Sequence, residues 1–303
     1  MISKNIIGRF APSPTGRMHL GNVFCALLSW LSARSKGGRW LLRIEDLDPD
    51  RSRKAFAEQL QDDLQWLGLP WDGDIIWQSE RHDIYLQYLE KLEKDGLTYP
   101  CFCTRADIMA TQAPHESDGR IVYAGTCRGR MLDETDKNRP SAVRLIVPDC
   151  DITFCDGHYG PQRINLARHC GDYILRRKDG AWAYQLAVVL DDALMGVTEV
   201  VRGRDLLLST PQQLHLYRTL GFDEPTFCHH PLLINEAGQR LCKRDLSLDL
   251  GCLRQKHRNP DEIIGFLAFL AGILPEPTPT LPQDLLPLFD WQKVPLDDIT
   301  ASL

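Results

Sequence analysis

The chain has 303 residues, of which 43% are apolar and 25% are charged, a composition typical of a globular protein of one large domain or two to three smaller ones. No stretch approaches about eighteen consecutive apolar residues, and residues 1–5 lack the pattern of a secretory signal, so we expect a cytoplasmic protein. The net charge of −6 argues against a protein that wraps nucleic acid by bulk electrostatics.

Apolar periodicity in the first hundred residues predicts strands that alternate with helices. Residues 5–10 and 40–45 have the character of short strands, and the first is followed by apolar residues at helical spacing that stop at Gly37-Gly38. Two more helix faces occur between residues 56 and 67 and between 84 and 92. This order predicts an α/β protein with a parallel sheet covered by helices.

The rest of the chain changes character twice. Residues 100–162 lose the periodicity and gain glycine, cysteine and turn residues, which predicts an inserted subdomain. Regular structure then resumes with a hairpin predicted at 173–184, whose turn is 178–180, and a strand predicted at 197–202. A helix is predicted at 210–221 and a second, apolar helix at 263–274. In the first of these helices, Thr210 is the predicted N-cap, Pro211 the first helical residue and Gly221 the C-terminal stop.

The stretch RFAPSPTGRMHLGN at 9–22 ends a predicted strand in a proline-stiffened loop and leads directly into a predicted helix. A helix N-terminus at a sheet edge presents unsatisfied N–H groups and a positive dipole end, which suits a phosphate. Gly16 and Gly21 would let a phosphate or a flat base approach the backbone, and His19 would donate a hydrogen bond. On composition alone, the alternative is a rigid loop whose His19 is satisfied in the core.

Four blocks in order along the chain resemble class I aminoacyl-tRNA synthetases, in the form found in glutamyl-tRNA synthetases. The blocks read RFAPSPTGRMHLGN, RIEDLDPDR, YQLAVVLDDALMGVTEVVRGRDLL and HPLLINEAGQRLCKRD. In the first block, residues 19–22 occupy the HIGH signature of that family, with Asn22 in place of its last histidine. In the fourth, Lys243 occupies the second lysine of KMSKS, while Arg240 and Cys242 depart from that signature.

The resemblance implies a fold class and a division of the chain. The fold would be α/β, with a Rossmann-type parallel sheet that carries HIGH and KMSKS signatures, an inserted zinc-binding α+β subdomain and a short helical C-terminal part. Residues 1–99 and 163–235 would be the two halves of the catalytic domain, and residues 100–162 the inserted subdomain. Residues 236–303 would contain the KMSKS-like loop and a truncated helical domain.

The resemblance also assigns residues to ATP. His19, Gly21, Asn22 and Lys243 would bind the nucleotide, and His19 and Lys243 would be catalytic because they stabilise charge on the phosphates as the α-phosphorus is attacked. Losing such a contact typically lowers the rate by ~10²–10³-fold. For Lys243, the structural alternative is an ordinary basic cluster on the surface.

Glutamate recognition is assigned by the same resemblance to Arg9, Glu45, Tyr184 and Arg202, and Ser13, in the loop of the first block, is a further candidate contact. The two guanidinium groups would pair with carboxylates, Glu45 would hold the ammonium group, and Tyr184 and Ser13 would supply further polar contacts. Because a buried arginine without a partner is unfavourable, an anionic ligand explains these arginines better than packing does. Glutamine, which lacks the charge, should bind less well.

The inserted region contains the sequences CFC at 101–103 and YAGTC at 123–127. Two thiols one residue apart, with a third about twenty-four residues later, are a plausible zinc site. The resemblance supplies a tyrosine as the fourth ligand, so the predicted structural zinc set is Cys101, Cys103, Tyr123 and Cys127. Free thiols are the alternative, and three more cysteines could compete as ligands: Cys150, Cys155 and Cys170.

The chain ends about sixty residues after Lys243, which leaves no room for the large helical region with which full-length glutamyl-tRNA synthetases grip the anticodon arm. We therefore expect the truncated branch of the family, the glutamyl-Q tRNA(Asp) synthetases. That resemblance implies that L-glutamate is activated with ATP and Mg²⁺, without tRNA, to glutamyl-adenylate. Glutamate is then transferred to queuosine in the anticodon of tRNA(Asp).

Three other interpretations use some of the same motifs. They are a truncated discriminating glutamyl-tRNA synthetase, a nucleotidylyltransferase or small-molecule ligase that needs no RNA, and a non-catalytic RNA-binding paralogue. Basic runs at 176–178, 242–244 and 254–258 are candidate RNA contacts, although solvated surface is the more frequent explanation of such runs. We expect a monomer.

Overall fold

The computed structural model describes residues 5–110, 122–136, 139–239, 241, 249–255 and 259–301. Four residues of the predicted KMSKS-like loop lie outside this part of the chain: Arg240, Cys242, Lys243 and Arg244.

The first hundred residues form the predicted alternation of strands and helices. The strands are β1 (Ile7–Phe10), β2 (Arg39–Ile44) and β3 (Ile76–Trp77), and the helices are α1 (Leu20–Arg34), α2 (Lys54–Trp66) and α3 (His82–Lys94). The strands form one parallel sheet with β2 in the centre. Helix α1 is buried over most of its surface, and each large apolar side chain it buries stabilises the fold by about 1.5–3 kcal/mol.

The region without periodicity is where the structure changes from parallel to antiparallel pairing. It contains β4 (Thr98–Cys101), α4 (Arg105–Ala110), β5 (Ala142–Leu145), β6 (Asp151–Asp156), β7 (Gly160–Asn165), α5 (Leu166–His169) and β8 (Ile174–Arg176). Strands β4, β5 and β8 form one antiparallel sheet, and β6 and β7 form a hairpin. Strand β7 spans the proposed boundary between residues 162 and 163, and the division into domains stays a prediction.

The parallel pattern resumes in the last part of the chain. Its elements are α6 (Tyr184–Leu194), β9 (Glu199–Gly203), α7 (Thr210–Leu220), β10 (Thr226–His230), β11 (Leu233–Ile234), α8 (Leu250–Gln255), α9 (Pro260–Leu270) and β12 (Ile299–Thr300). Strand β9 pairs with β10 and lies beside β1, because the Thr198 N–H donates to the Ile7 carbonyl at 2.9 Å. Parallel strands from both sides of the antiparallel region therefore meet, and the predicted α/β class with a parallel sheet is confirmed.

Two local predictions differ from the structure. The second strand of the hairpin at 173–184 is reduced to a single bridge between Arg176 and Trp182, because Tyr184 already begins α6. The N-cap position of α7 is Ser209, whose side chain makes no capping hydrogen bond, and Thr210 is already the first helical residue. The Thr210 hydroxyl accepts a hydrogen bond from Arg202 Nη2 at 2.9 Å. The predicted stop at Gly221 is confirmed, with a φ of 75° that glycine adopts readily.

The core has two large parts and one small one. The first packs α1 and the β1–β2 strands against α9, and the second lies among α3, α6 and α7. The small third part surrounds the cysteines of the antiparallel region. No helix in the described part of the chain is long and apolar enough to cross a bilayer.

Candidate active site

A cavity of about 500 Å³ opens where β1 and β9 end and α1 begins. The carboxyl ends of parallel strands are where α/β proteins most often bind ligands. The walls include every predicted glutamate- and ATP-binding residue that the structure describes: Arg9, Ser13, His19, Gly21, Asn22, Glu45, Tyr184 and Arg202. The structure thus brings together residues from three sequence blocks, and Leu241 of the fourth block also lines the cavity.

His19 is both part of the cavity wall and the N-cap of α1. Its Nδ1 accepts a hydrogen bond from the Gly21 N–H at 3.1 Å, and Asn22 Oδ1 accepts one from the His19 N–H at 3.1 Å. This reciprocal arrangement is a capping box, so Asn22, at the last position of the predicted HIGH signature, completes the cap. Because Nδ1 is an acceptor, the neutral ring carries its proton on Nε2, which is the tautomer that the predicted donor role requires.

The glycine after this histidine has a steric reason. A Cβ added at Gly21 would lie 2.9 Å from His19 Cε1, closer than carbon atoms normally approach. A side chain at this position would therefore displace the His19 ring from its capping position.

Arg202, on β9, is 4% exposed and is held by neutral groups. Its Nε donates to His229 Nε2 at 3.0 Å, and its Nη1 donates to Gln213 Oε1 at 2.7 Å. Among the described residues, no carboxylate forms an ion pair with this guanidinium, and burial lowers the pKa of Arg202. A buried charge with neutral partners favours an anionic ligand, because the ligand's carboxylate would supply the missing counter-charge.

Arg9 differs from Arg202, because it already has a carboxylate partner. Its Nε donates to the two oxygens of Asp192 at 3.2 and 3.3 Å. Asp192 also accepts a hydrogen bond from Arg43 Nη1 at 2.6 Å, and Arg43 Nη2 donates to Glu45 Oε1 at 3.1 Å. The burial of Arg9 therefore needs no anionic ligand, contrary to the argument from sequence.

Arg9, Arg43, Glu45 and Asp192 form an inner charged cluster, in which burial and charge shift the pKa values of the two acids in opposite directions. Burial raises the pKa of Glu45, against the opposing effect of Arg43 and Arg9. Burial also acts to raise the pKa of Asp192, but Arg43 and Arg9 outweigh it and hold that pKa below its ordinary value. Asp192 is therefore the ionised anchor between the two guanidinium groups.

Sequence reasoning missed Arg43, Asp191 and Asp192. Asp191 accepts hydrogen bonds from Arg81 Nε at 2.5 Å and from Tyr85 Oη at 2.8 Å. A signal was present, because Arg43 and the Asp191-Asp192 pair are charged residues inside otherwise apolar stretches of the sequence. Charged residues are rarely fully buried unless they are paired.

Of the described residues on either side of 242–248, one lies in the cavity wall and the other beside the turn between β1 and α1. Leu241 is buried in the cavity wall, and its N–H donates to the Leu233 carbonyl at 3.0 Å. On the other side, the backbone of Asp249 forms an isolated antiparallel β-bridge with that of His19, and the Leu250 N–H donates to the Met18 carbonyl at 3.0 Å. Lys243 itself is not described, so its predicted contact with ATP stays a prediction.

The four predicted zinc ligands lie together in the antiparallel region. The sulfur atoms of Cys101, Cys103 and Cys127 are within 4.8 Å of one another, and Tyr123 Oη is 3.4 Å from Cys101 Sγ and 3.6 Å from Cys103 Sγ. Tetrahedral ligands with a Zn–S distance of about 2.3 Å are about 3.8 Å apart, so this donor set fits zinc. Among the described residues, none of the three competing cysteines joins the cluster.

Replacing Cys101 by serine is expected to lower bound zinc from about one ion per chain to a small fraction. The melting temperature should fall as well, because zinc would cross-link the two cysteine segments. The measurements are metal analysis by mass spectrometry and thermal unfolding of the purified protein. Cys155→Ser is the matched control, since Cys155 is exposed and lies outside the cluster; equal zinc in both variants would contradict the assignment.

Comparison with known proteins places this site in a family. A family model described as tRNA synthetases class I (E and Q), catalytic domain, matches residues 5–278. Proteins named glutamyl-Q tRNA(Asp) synthetase from Symbiobacterium thermophilum and Chromobacterium violaceum are 46% and 49% identical to this chain. The match to the Symbiobacterium protein covers 97% of this chain and 95% of that protein. The match to the Chromobacterium protein covers 79% of each chain.

A solved structure shows the same fold. The crystal structure of a glutamate tRNA ligase from Elizabethkingia meningosepticum, in complex with its amino acid, matches with a TM-score of 0.83 at 28% identity. The match covers 99% of this chain and 67% of that chain. The chain belongs to the class I tRNA synthetases of the E and Q type and, within them, to the glutamyl-Q tRNA(Asp) synthetases.

Proposed function

We propose that this protein is an ATP-dependent ligase that activates L-glutamate without tRNA and then transfers it to queuosine in the anticodon of tRNA(Asp). The observation that carries the proposal is one cavity that joins Arg202, a buried cation with neutral partners, to the His19-capped N-terminus of α1. The names of the relatives agree with this chemistry. ATP and tRNA are cytoplasmic, so the cytoplasm is the proposed compartment, and a monomer remains the proposed oligomeric state.

The amino acid would be selected by charge. Arg202 would pair with the side-chain carboxylate of glutamate, beside the Tyr184 hydroxyl that lies 3.5 Å from Arg202 Nη1. Arg9 would face the α-carboxylate from the same wall, and Glu45 would attract the ammonium group. Ser13, which also lines the cavity, would supply a backbone or hydroxyl contact.

ATP would lie over the turn between β1 and α1. There, residues 19–22 take the place of HIGH, and the helix dipole favours a phosphate. The His19 Nε2–H would donate to a phosphate oxygen, while Gly21 and Asn22 keep the turn open and capped. Lys243 would approach from the KMSKS-like loop, and Mg²⁺ would enter with ATP as part of the substrate.

The reaction would have two displacement steps. The glutamate α-carboxylate attacks the α-phosphorus of ATP, which forms glutamyl-adenylate and releases pyrophosphate. A hydroxyl of the queuosine ring then attacks the acyl carbon, and AMP leaves. Positioning and charge stabilisation account for this chemistry, and no side chain need become a covalent nucleophile. Zinc, when bound by Cys101, Cys103, Tyr123 and Cys127, would supply a structural cross-link.

The function can be tested directly. Purified enzyme should catalyse glutamate-dependent ATP–pyrophosphate exchange in the absence of tRNA. It should then transfer labelled glutamate to tRNA(Asp) that carries queuosine, and not to tRNA(Asp) from cells that cannot make queuosine. Charging of a 3′ end, recognised because enzymatic removal of the terminal adenosine of the tRNA abolishes it, would instead favour a glutamyl-tRNA synthetase.

Two substitutions at His19 should separate its roles in stability and in catalysis. His19→Ala removes the cap and the Nε2 donor, so the rate of exchange should fall by ~10²–10³-fold and the free energy of unfolding by about 1 kcal/mol. His19→Asn keeps a side-chain acceptor for the Gly21 N–H, so it should restore stability and leave the rate low. Urea unfolding and exchange kinetics measure the two effects. A fully active His19→Asn enzyme would contradict the proposed phosphate contact.

A further inference from the structure

Behind Arg202, away from the cavity, lies a buried pair formed by His229 and Asp156. Both side chains are fully buried, and His229 Nδ1 is 2.6 Å from Asp156 Oδ2. His229 Nε2 in turn accepts the hydrogen bond from Arg202 Nε at 3.0 Å. The three side chains therefore form one chain of hydrogen bonds from Asp156, at the end of β6, to the guanidinium that faces the cavity.

The chemistry of the groups determines which atoms carry protons. A guanidinium can only donate hydrogen bonds, so His229 Nε2 must accept and, in the neutral ring, Nδ1 must carry the proton that Asp156 accepts. Burial lowers the pKa of His229. Burial acts to raise the pKa of Asp156, but the contact with His229 and the backbone N–H groups of Tyr159 and His158 together outweigh it and hold that pKa below its ordinary value. An ionised Asp156 and a neutral His229 are therefore the resting state.

Asp156 is itself held in one orientation by the backbone. Its Oδ1 accepts from the N–H groups of His158, Tyr159 and His229 at 3.1, 2.9 and 3.2 Å. Three donors converge on this oxygen, which leaves Oδ2 to face the imidazole. The tight turn between β6 and β7 thus orients the carboxylate, the carboxylate orients His229, and His229 orients Arg202.

We propose that Asp156 and His229 are positioning residues that hold Arg202 in the orientation and charge environment needed to select glutamate over uncharged amino acids. This inference rests on the proposed function. The negative charge of Asp156 reaches Arg202 only through the polarised imidazole, so no carboxylate competes directly with the substrate for the guanidinium. A direct Asp–Arg pair, as at Arg9, would already neutralise the guanidinium charge that attracts the carboxylate of the ligand.

Asp156→Asn gives the sharpest test, because the backbone predicts how the amide will sit. The three N–H donors require the amide oxygen at the Oδ1 position, so the amide NH₂ must face His229 Nδ1. That contact forces the imidazole proton onto Nε2, where it opposes the Arg202 Nε–H. The KM for glutamate in exchange should rise by about 10–100-fold, while the KM for ATP and kcat change by less than about threefold.

Two variants at His229 test whether restoring the two hydrogen bonds restores the affinity for glutamate. His229→Gln can both donate to Asp156 and accept from Arg202, so its KM for glutamate should stay well below that of His229→Leu, which can do neither. The preference for glutamate over glutamine, measured as the ratio of their kcat/KM values, should decrease in the Asp156→Asn and His229→Leu variants. His215→Leu is the control, since His215 is half-buried and bonds to Tyr173 instead.

The outcomes separate the two proposals. No glutamate-dependent exchange in the wild-type enzyme would refute the proposed function itself. An active wild type whose Asp156→Asn and His229→Leu variants keep its KM for glutamate and its preference over glutamine would refute the positioning role. Equal losses in the KM for glutamate, the KM for ATP and the melting temperature would also refute it, because they indicate only a general structural role.

Discussion

Replacing Arg202 by glutamine is expected to lower kcat/KM for glutamate in ATP–pyrophosphate exchange by ~10²–10³-fold. Charge-assisted hydrogen bonds each contribute about 1.5–3 kcal/mol, and a paired guanidinium–carboxylate contact contains two of them. Most of the loss should appear in the KM for glutamate, with the KM for ATP little changed. Arg202→Lys should recover only part of the loss, because the ammonium group keeps the charge without the planar fork.

Arg204→Gln is the matched control, because Arg204 follows two residues later and forms an exposed pair with Asp298. Its kinetics should equal those of the wild type, since exposed pairs contribute little. Circular dichroism and thermal unfolding would show that Arg202→Gln remains folded. A folded Arg202→Gln enzyme with an unchanged KM for glutamate would place carboxylate recognition elsewhere, and Arg9 would then be the next residue to test.

Replacing Asp192 by asparagine is expected to lower the free energy of unfolding by about 3–5 kcal/mol, since it removes the carboxylate between two buried guanidinium groups. Arg43, whose side chain is wholly buried, contacts Asp192 at 2.6 Å, and Arg9 contacts it at 3.2 Å. Urea unfolding at neutral pH measures the loss. Activity should fall too, because Arg9 and Glu45 line the cavity and depend on this cluster for their positions.

The contribution of Asp192 should also depend on pH in a defined direction. Arg43 and Arg9 hold its pKa in the folded protein below its ordinary value, so its stabilisation is fully present above the unfolded pKa of about 3.9. It is lost as pH falls through the folded pKa. The difference between wild type and Asp192→Asn should therefore be constant from neutral pH to about 5 and should shrink in more acidic solution.

Asp62→Asn provides the comparison for this second prediction. Asp62 pairs with Arg254, but its side chain is 65% exposed, so its loss should change the free energy of unfolding by about 0–1 kcal/mol. If the two aspartate variants lost equal stability, the inner cluster would not be the anchor inferred from its burial.

The sequence alone predicted the course of the first hundred residues well. Apolar spacing located β1, α1, β2, α2 and α3, because each buries one face or most of its surface in the core. The four ordered blocks of sequence identified the family and contain the residues predicted to bind glutamate and ATP, and those that the structure describes line the cavity. The spacing of Cys101, Cys103 and Cys127, with Tyr123 added from the family resemblance, predicted a cluster that the structure contains.

Other features could not be obtained from local patterns. Thr210 has the residue type and proline neighbour of an N-cap, yet its hydroxyl bonds to Arg202 because the folded chain brings β9 next to α7. The hairpin at 173–184 is incomplete because α6 starts at Tyr184. In both cases, contacts between distant segments outweighed local preference.

The sequence by itself determined the α/β class, the family and the chemical types of the groups in the cavity, because periodicity and ordered motifs are local properties of the chain. Only the tertiary structure decided which charge is neutralised by which partner. Arg9 is paired with Asp192, 183 residues away, whereas Arg202 is held by His229 and, through it, by Asp156. The physical reason is that electrostatic pairing depends on distance in space and on burial, and neither is encoded in the spacing of residues along the chain.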